Sequence, residues 1–209
     1  KYCEIVKNNT NIKPHNLFEI GSRDGHDASL ISKYFNIEPL EVHVFEPNPY
    51  MFDKIVKEYP DFKTHKKAIF NKNGKLVFNA AKDLDDGRSS LYNRDIYNEN
   101  NFSQVEVDTV KMSDFIKENN VESIDLCKLD VEGAALEVLE GFDTDINILK
   151  SIQIESEARE VWEGQKTWFH IEQFMIHNDF VLVWQNTLAD KAGVPTQNDS
   201  VWVKREHVK

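Results

Sequence analysis

Over the first 70 residues, short apolar runs alternate with stretches of helical spacing, and that alternation leaves the chain few folds. Asn16-Leu17-Phe18-Glu19-Ile20-Gly21 is an apolar run stopped by glycine. Leu30, Ile31, Tyr34 and Phe35 then fall on one face of a helix. Glu41 to Glu46 reads as a second strand closed by Pro47. Met51, Phe52, Ile55, Val56 and Tyr59 mark a second helix closed by Pro60, and Phe62 to Phe70 reads as a third strand. A β-α-β-α-β series predicts a parallel sheet with helices on both faces.

The remaining chain extends the pattern. Lys75 to Asn79 and Val105 to Asp108 read as short strands, with Asn73-Gly74 as a turn before the first. Between them, Lys82 to Gln104 is polar and asparagine-rich and is expected to be a surface loop that meets substrate. Ser113 is placed to cap a short helix carrying Phe115 and Ile116. Ser123 to Asp130 is a strand, Ala134 to Phe142 a helix, and Leu149 to Ile154 another strand. Trp168, Ile171, Phe174 and Met175 mark a further helix. Phe180 to Trp184 and Ser200 to Lys204 are strands, and Gln185 to Asp199 between them carries no helical pattern. Without a crossover helix those two strands pair most simply as an antiparallel hairpin. The expected fold is therefore α/β, with a mostly parallel sheet ending in an antiparallel hairpin. The 209 residues show no internal repeat and no linker, so one domain over 1–209 is expected. Residues 15–70 form its ligand-binding half and 82–104 its substrate loop.

Composition removes several classes of function. Acidic residues number 36 against 25 basic, a net charge of −11. Binding to nucleic-acid phosphate needs a basic surface, so a nucleic-acid partner is disfavoured. No apolar run approaches the roughly 20 residues of a membrane-spanning helix. Lys1-Tyr2-Cys3-Glu4 has no signal-peptide character. Cys3 and Cys127 are the two cysteines. They read as unpaired thiols of a reducing compartment, and a cytoplasmic location is expected.

Four sets of residues are candidates for chemistry. Gly21-Ser22-Arg23-Asp24-Gly25 follows the first strand and precedes the first helix. Glycine there turns the chain sharply and lets a ligand approach the backbone, or serves a plain tight turn. Glu46, at the end of the second strand, suits the hydroxyls of a ribose. Asp130 stands at the tip of a central strand, facing the same edge. Glu132, just after it, reads either as part of that site or as a favourable charge at a helix start. Glu155, at the tip of the next strand, could bind a substrate hydroxyl, act as a base or share a cation with Asp130. His170 and His177 read as surface or packing residues. No Cys/His spacing fits zinc, and neither a Gly-x-Ser-x-Gly elbow nor a phosphate-binding Gly-Lys-Ser/Thr loop is present.

Three blocks resemble a known family. They are Phe18-Glu19-Ile20-Gly21-Ser22-Arg23-Asp24-Gly25, Val44-Phe45-Glu46-Pro47-Asn48-Pro49, and Lys128-Leu129-Asp130-Val131-Glu132-Gly133 followed by Leu139-Glu140-Gly141. Together they resemble the FkbM-type family of class I S-adenosylmethionine (SAM)-dependent methyltransferases. Arg88-Ser89-Ser90-Leu91 is similar to a serine-leucine element in that family's middle loop. The resemblance implies a Rossmann-like fold with a seven-stranded sheet. It assigns Glu19, Gly21, Ser22, Arg23, Asp24 and Gly25 to the methionine part of SAM, and Glu46 to its ribose. Pro47, Ala68 and Ile69 go to its adenine, Ser90 joins the cofactor-binding set, and Asp130 lies beside the donor methyl. Two positions depart from the family: Arg23 replaces a common glycine, and Ala134-Ala135 stands where a further glutamate is often found.

The reaction implied is methyl transfer to the oxygen of a sugar or another small hydroxylated acceptor. Asp130 and then Glu155 are the candidates for base or cation ligand, with a divalent metal allowed but not required. Substrate contacts are expected from the 82–104 loop, from the 157–167 segment with Arg159 and Trp162, and from the 186–199 loop; Trp162 and Trp168 suit either sugar stacking or core packing. Two other readings stay open. One is a nicotinamide-dependent oxidoreductase, which lacks support from a Gly-x-Gly-x-x-Gly or Tyr-x-x-x-Lys pattern; the other is a cofactor-binding module without turnover.

Overall fold

The computed structural model describes residues 1–83, 86–94 and 100–209. A helix that the sequence pattern did not reveal, α1 (Tyr2–Asn9), opens the chain. It is followed by β1 (Leu17–Ile20), α2 (His26–Phe35), β2 (Val42–Phe45), α3 (Pro49–Glu58) and β3 (Lys63–His65). Next come β4 (Ala68–Ile69), β5 (Gly74–Ala81), β6 (Phe102–Val110), α4 (Met112–Asn119), β7 (Leu126–Leu129) and α5 (Ala135–Glu140). The last third holds β8 (Ser151–Glu157), α6 (Trp168–His177), β9 (Phe180–Ala189) and β10 (Pro195–Lys204). Seven strands form the main sheet in the order β3-β2-β1-β7-β8-β10-β9. The first five run parallel, and β10 is antiparallel to both its neighbours. The expected α/β architecture with its closing hairpin is the one observed.

Alternation along the strands sorts the core into two layers. Leu17, Val42, Val44, Leu126 and Val201 pack with Val6 of α1, Ile31 of α2 and Ile55 of α3. Phe18, Ile20, Phe45, Leu129 and Ile154 point the other way, onto Phe115 of α4, Leu139 of α5 and Met175 of α6. Among the described residues, no helix is long and apolar enough to cross a membrane. Both cysteines are free, and Cys127 is buried.

Four expectations need correction. The segment 62–70 is two strands: β3 pairs with β2 in the main sheet, while β4 leaves it to pair with β6. The short strands around the middle loop form a separate three-stranded sheet, β4-β6-β5, and β6 starts at Phe102, inside the expected loop. Residues 185–199 are largely strand, because β9 and β10 pair out to Ala189 and Pro195. Polar side chains on that outer hairpin hid its period. Ser113 does not cap α4. The cap position is Lys111, and the Ser113 hydroxyl donates instead to Asp143 at 2.8 Å.

At the β2–β3 edge of the main sheet, His43 of β2 and His65 of β3 lie with Nδ1 and Nε2 3.3 Å apart. His43 stacks on Phe18, and both rings meet Phe115 edge-on. Burial, with each other and Lys63 nearby, pushes the imidazole of His43 down to about 3. Burial and the charges of Lys67 and Lys63 hold His65 down at about 4. The unfolded chain protonates both near 6.5, so their contribution to stability is whole above that pH and drains away as pH falls toward 4. The thermal advantage of the wild type over His43→Phe should therefore shrink between pH 6.5 and 4. Taking the difference cancels the site carboxylates described below, whose raised values work in the opposite direction. An advantage that is constant or grows on acidification would contradict this account.

Candidate active site

The carboxyl ends of β1, β2 and β7 open onto a cleft of about 610 Å³. One half is apolar, walled by Phe45, Pro47, Met51, Ala68, Ile69 and Leu91. Gly21, Arg23, Gly87, Asp130 and Glu132 border it and also an adjoining polar space of about 760 Å³. That second space is lined further by Ser22, Asp24, Asp27, Lys128 and Glu155.

The glycine turn is built by close approach. Gly21 has φ +77, and a Cβ there would lie 1.9 Å from the backbone oxygen of Asp130. Asp130 N–H donates to Ile20 O at 3.0 Å, locking the two strand tips side by side. Arg23, which replaces a common family glycine, keeps a glycine-like backbone at φ +59. Its N–H donates to Glu46 Oε2 at 2.7 Å, while Asn48 N–H donates to Glu46 Oε1 at 2.8 Å. Each oxygen of Glu46 thus keeps an unused lone pair. The residue is 4% exposed and lines the cleft. Burial pushes its carboxyl up to about 7, against the pull of those two N–H groups. A vicinal diol offering two O–H donors matches what this buried carboxylate lacks. Apolar walls for a purine beside it and a polar space for an amino acid beyond it complete a fit to SAM.

Glu19 and Ser22 sit deeper than expected. Glu19 is fully buried and accepts from the Ser22 hydroxyl, which also accepts from Gly25 N–H. Glu19 is the register partner of Lys128, whose ammonium lies 3.7 Å from Oε1. Burial pushes the Glu19 carboxyl up to about 7, although Lys128 and Ser22 oppose it. Lys128 also reaches Asp27 at 3.1 Å and Asp130 at 3.3 Å. Burial works against its charge, but Asp130, Glu19 and Asp27 together hold the ammonium well above its usual range. Gly25 turns the chain into α2 at φ +75 and packs against Tyr59. Glu19 and Gly25 are thus supports of the cleft and not part of its wall, whereas Gly21, Ser22, Arg23 and Asp24 line it.

Into the polar space the strand tips deliver a row of acids. Asp130, Glu132 and Glu155 each offer a carboxylate oxygen, all within 4.8 Å of one another. Asp199 of β10 is the register partner of Glu155. Burial, then Asp130 and Glu155, pushes Glu132 up to about 9. Burial, then Asp130 and Asp199, pushes Glu155 up to about 8. Burial and Asp130 raise Asp199 as well. Glu157, held by Gln165 at 2.6 Å, is pushed up to about 7, chiefly by burial. Such a cluster suits a cation or the hydroxyl protons of an acceptor.

Several expected residues stand elsewhere. Ser90 does not line the cleft; Ser89 and Leu91 on either side of it do. Trp162 is 3% exposed and packs on Gly133, so it offers no face to a sugar; Trp168 is partly buried and packs on Trp202. Arg159 pairs with Asp190 on the surface. Of the expected substrate loop, Asp86, Gly87, Ser89 and Leu91 border the cofactor cleft, and residues 84, 85 and 95–99 lie outside the described residues. Glu132 is not a helix-capping residue: it adopts φ +49, two residues before the cap of α5. Asp199 ends the expected 186–199 substrate loop, and only the pairing of the closing hairpin places it beside Glu155. Lys128, the charge inside an otherwise apolar strand, was the sequence signal for the buried ion pair.

Residues 19–182 match the family described as the methyltransferase FkbM domain. The 2-O-methyltransferase NoeI of Sinorhizobium fredii (strain NBRC 101917 / NGR234) is 25% identical over 163 residues, 71% of this chain and 66% of that protein. This chain therefore spans slightly less than two thirds of that relative. The structure of methyltransferase FkbM from Methylobacillus flagellatus KT superposes with a TM-score of 0.58 at 11% identity, over 90% of this chain and 44% of that one. Magnesium protoporphyrin IX methyltransferase (ChlM) from Synechocystis PCC 6803, solved with bound SAM, gives 0.51 at 8% identity, over 93% and 72%. These two likenesses concern the fold. With a family match over most of its length and a cleft that fits an adenosyl cofactor, the chain belongs to the FkbM methyltransferase domain family of class I SAM-dependent methyltransferases.

Proposed function

We propose that this protein transfers the methyl group of SAM to the oxygen of a sugar hydroxyl or a similar small hydroxylated acceptor. The observation that carries the reading is the position of Asp130, which borders both the apolar half of the cleft and the carboxylate row. A donor methyl between adenosine and methionine would face it. The sulfonium methyl is electrophilic already, so the protein's task is alignment and proton removal. Alignment of two bound reactants contributes up to roughly 7–11 kcal/mol of barrier lowering. Bound SAM would supply its methyl carbon to the acceptor oxygen and leave as S-adenosylhomocysteine, and the hydroxyl proton would pass to Asp130, with Glu155 next to it. If a divalent cation takes part, Asp130, Glu132 and Glu155 would hold it, and it would supply Lewis-acid activation of the hydroxyl. The name of the relative NoeI, a 2-O-methyltransferase, supports oxygen as the acceptor atom. The acid row itself supports a neutral polyhydroxylated acceptor over a phosphate-rich one, since it would repel nucleic acid.

Calorimetry with S-adenosylhomocysteine (SAH), followed by methyl transfer to a panel of glycans read by mass gain, tests the reading. Binding without NAD binding, and mass gain on a hydroxyl, are expected. Glu46→Gln should weaken SAH about 10- to 100-fold, because a charge-assisted hydrogen bond to a ribose hydroxyl is lost. No heat with SAH would refute the cofactor assignment. SAH binding without transfer to any acceptor would favour a module without turnover.

A further inference from the structure

Ser90 is fully buried, yet it lines neither half of the cleft. Its hydroxyl donates to the backbone carbonyl of Glu132 at 2.5 Å and accepts from Tyr92 N–H at 3.0 Å. Glu132 is a non-glycine residue at φ +49. That left-handed conformation is costly for a residue with a Cβ and persists where the surroundings impose it. Here it coincides with a glutamate whose carboxylate stands within 4.8 Å of Asp130 and Glu155. The segment bearing Ser90 has other anchors. Ser90 exchanges two backbone hydrogen bonds with Asn79, at 2.9 and 3.2 Å. The Ser89 hydroxyl meets Asn48 and Ala81, and the Tyr92 hydroxyl donates to Glu137 at 2.7 Å. Loss of the Ser90 hydroxyl therefore leaves the segment in place and releases the Glu132 end.

We propose that Ser90 is a positioning residue: its hydroxyl pins the Glu132 carbonyl and so keeps the Glu132 carboxylate in the cluster with Asp130 and Glu155. The catalytic value of that cluster rests on the function proposed above; the pin itself does not. The segment thereby joins two tasks, since Ser89 and Leu91 wall the cofactor cleft while Ser90 between them holds an acid of the acceptor side.

The test compares crystal structures of the wild type, Ser90→Ala, Ser90→Cys and Ser90→Thr, with SAH titrated into each. Without a strong donor, Ala and Cys should let Glu132 leave φ +49 and withdraw its carboxylate by more than 2 Å, while SAH affinity stays within about threefold. Thr keeps the hydroxyl and should restore the wild-type position. Cys fills the space that Ala leaves empty, and its larger sulfur by itself moves the carbonyl by less than the 2 Å scored, so it decides the matter if Ala fails to fold. A Glu132 that stays in place in Ala or Cys overturns the proposal, as does a Thr variant that fails to restore it. Absence of SAH binding to the wild type would instead refute the cofactor reading, leaving the Glu132 comparison to stand on its own.

Discussion

Gly21→Ala should lower the thermal midpoint by about 10 °C and weaken SAH binding in the same protein. The first cost is conformational, because alanine at φ +77 is strained by about 1–2 kcal/mol. The second is steric. A Cβ would stand 1.9 Å from Asp130 O and 2.7 Å from its carbonyl carbon. These are backbone atoms, so no side chain can swing away. Relief requires β1 and β7 to part at their tips, breaking the Asp130 N–H to Ile20 O bond. A total of about 3–5 kcal/mol places the variant among the severe single substitutions. For a chain of this size each kcal/mol shifts the midpoint by roughly 2–4 °C. Gly193→Ala is the control: Gly193 has φ +79 but nothing within 4 Å, so only the conformational cost remains. Scanning calorimetry on both variants checks the difference. Equal midpoints would mean that the close approach at Gly21 is not what the turn depends on.

That contact also shows what the sequence could and could not reveal. Gly21, Glu46 and Asp130 were legible because each ends a strand, and the carboxyl ends of parallel strands converge on one edge by the geometry of the sheet. The two-layer core was legible from alternation at Leu17 and Phe18, or Val44 and Phe45. The split of 62–70 into β3 and β4 was not, because β4 leaves the main sheet only through its pairing with β6, a partner far along the chain. The depth of Glu19 was hidden for a related reason. A glutamate at a strand end reads as exposed, and only its register with Lys128 shows a buried ion pair. Glu132 was harder still, since nothing in Val131-Glu132-Gly133 announces a left-handed residue; the reason lies 42 positions away at Ser90.

Asp130→Asn is expected to cut methyl transfer by about 10²- to 10⁴-fold while SAH affinity changes by no more than a few-fold. The size follows from the loss of a group that accepts the hydroxyl proton; it corresponds to roughly 2.7–5.5 kcal/mol of barrier. Asparagine keeps the shape and the backbone N–H to Ile20, so the strand tips should hold. Lys128 loses one carboxylate partner but retains Asp27 at 3.1 Å and Glu19 at 3.7 Å. Removing a negative charge also relieves Glu132 and Glu155, whose carboxyls Asp130 helps to push up. The fold should therefore lose little stability, which separates a chemical role from a structural one. Running the assay with and without a chelator divides the chemistry further. If the chelator leaves the wild type unaffected, Asp130 takes the proton directly. If it abolishes transfer and magnesium restores it, the three carboxylates act through a cation, and Glu155→Gln should then be impaired as severely as Asp130→Asn. Full turnover in Asp130→Asn, with SAH bound as before, would remove Asp130 from the mechanism and leave its pairing with Lys128 as its whole contribution.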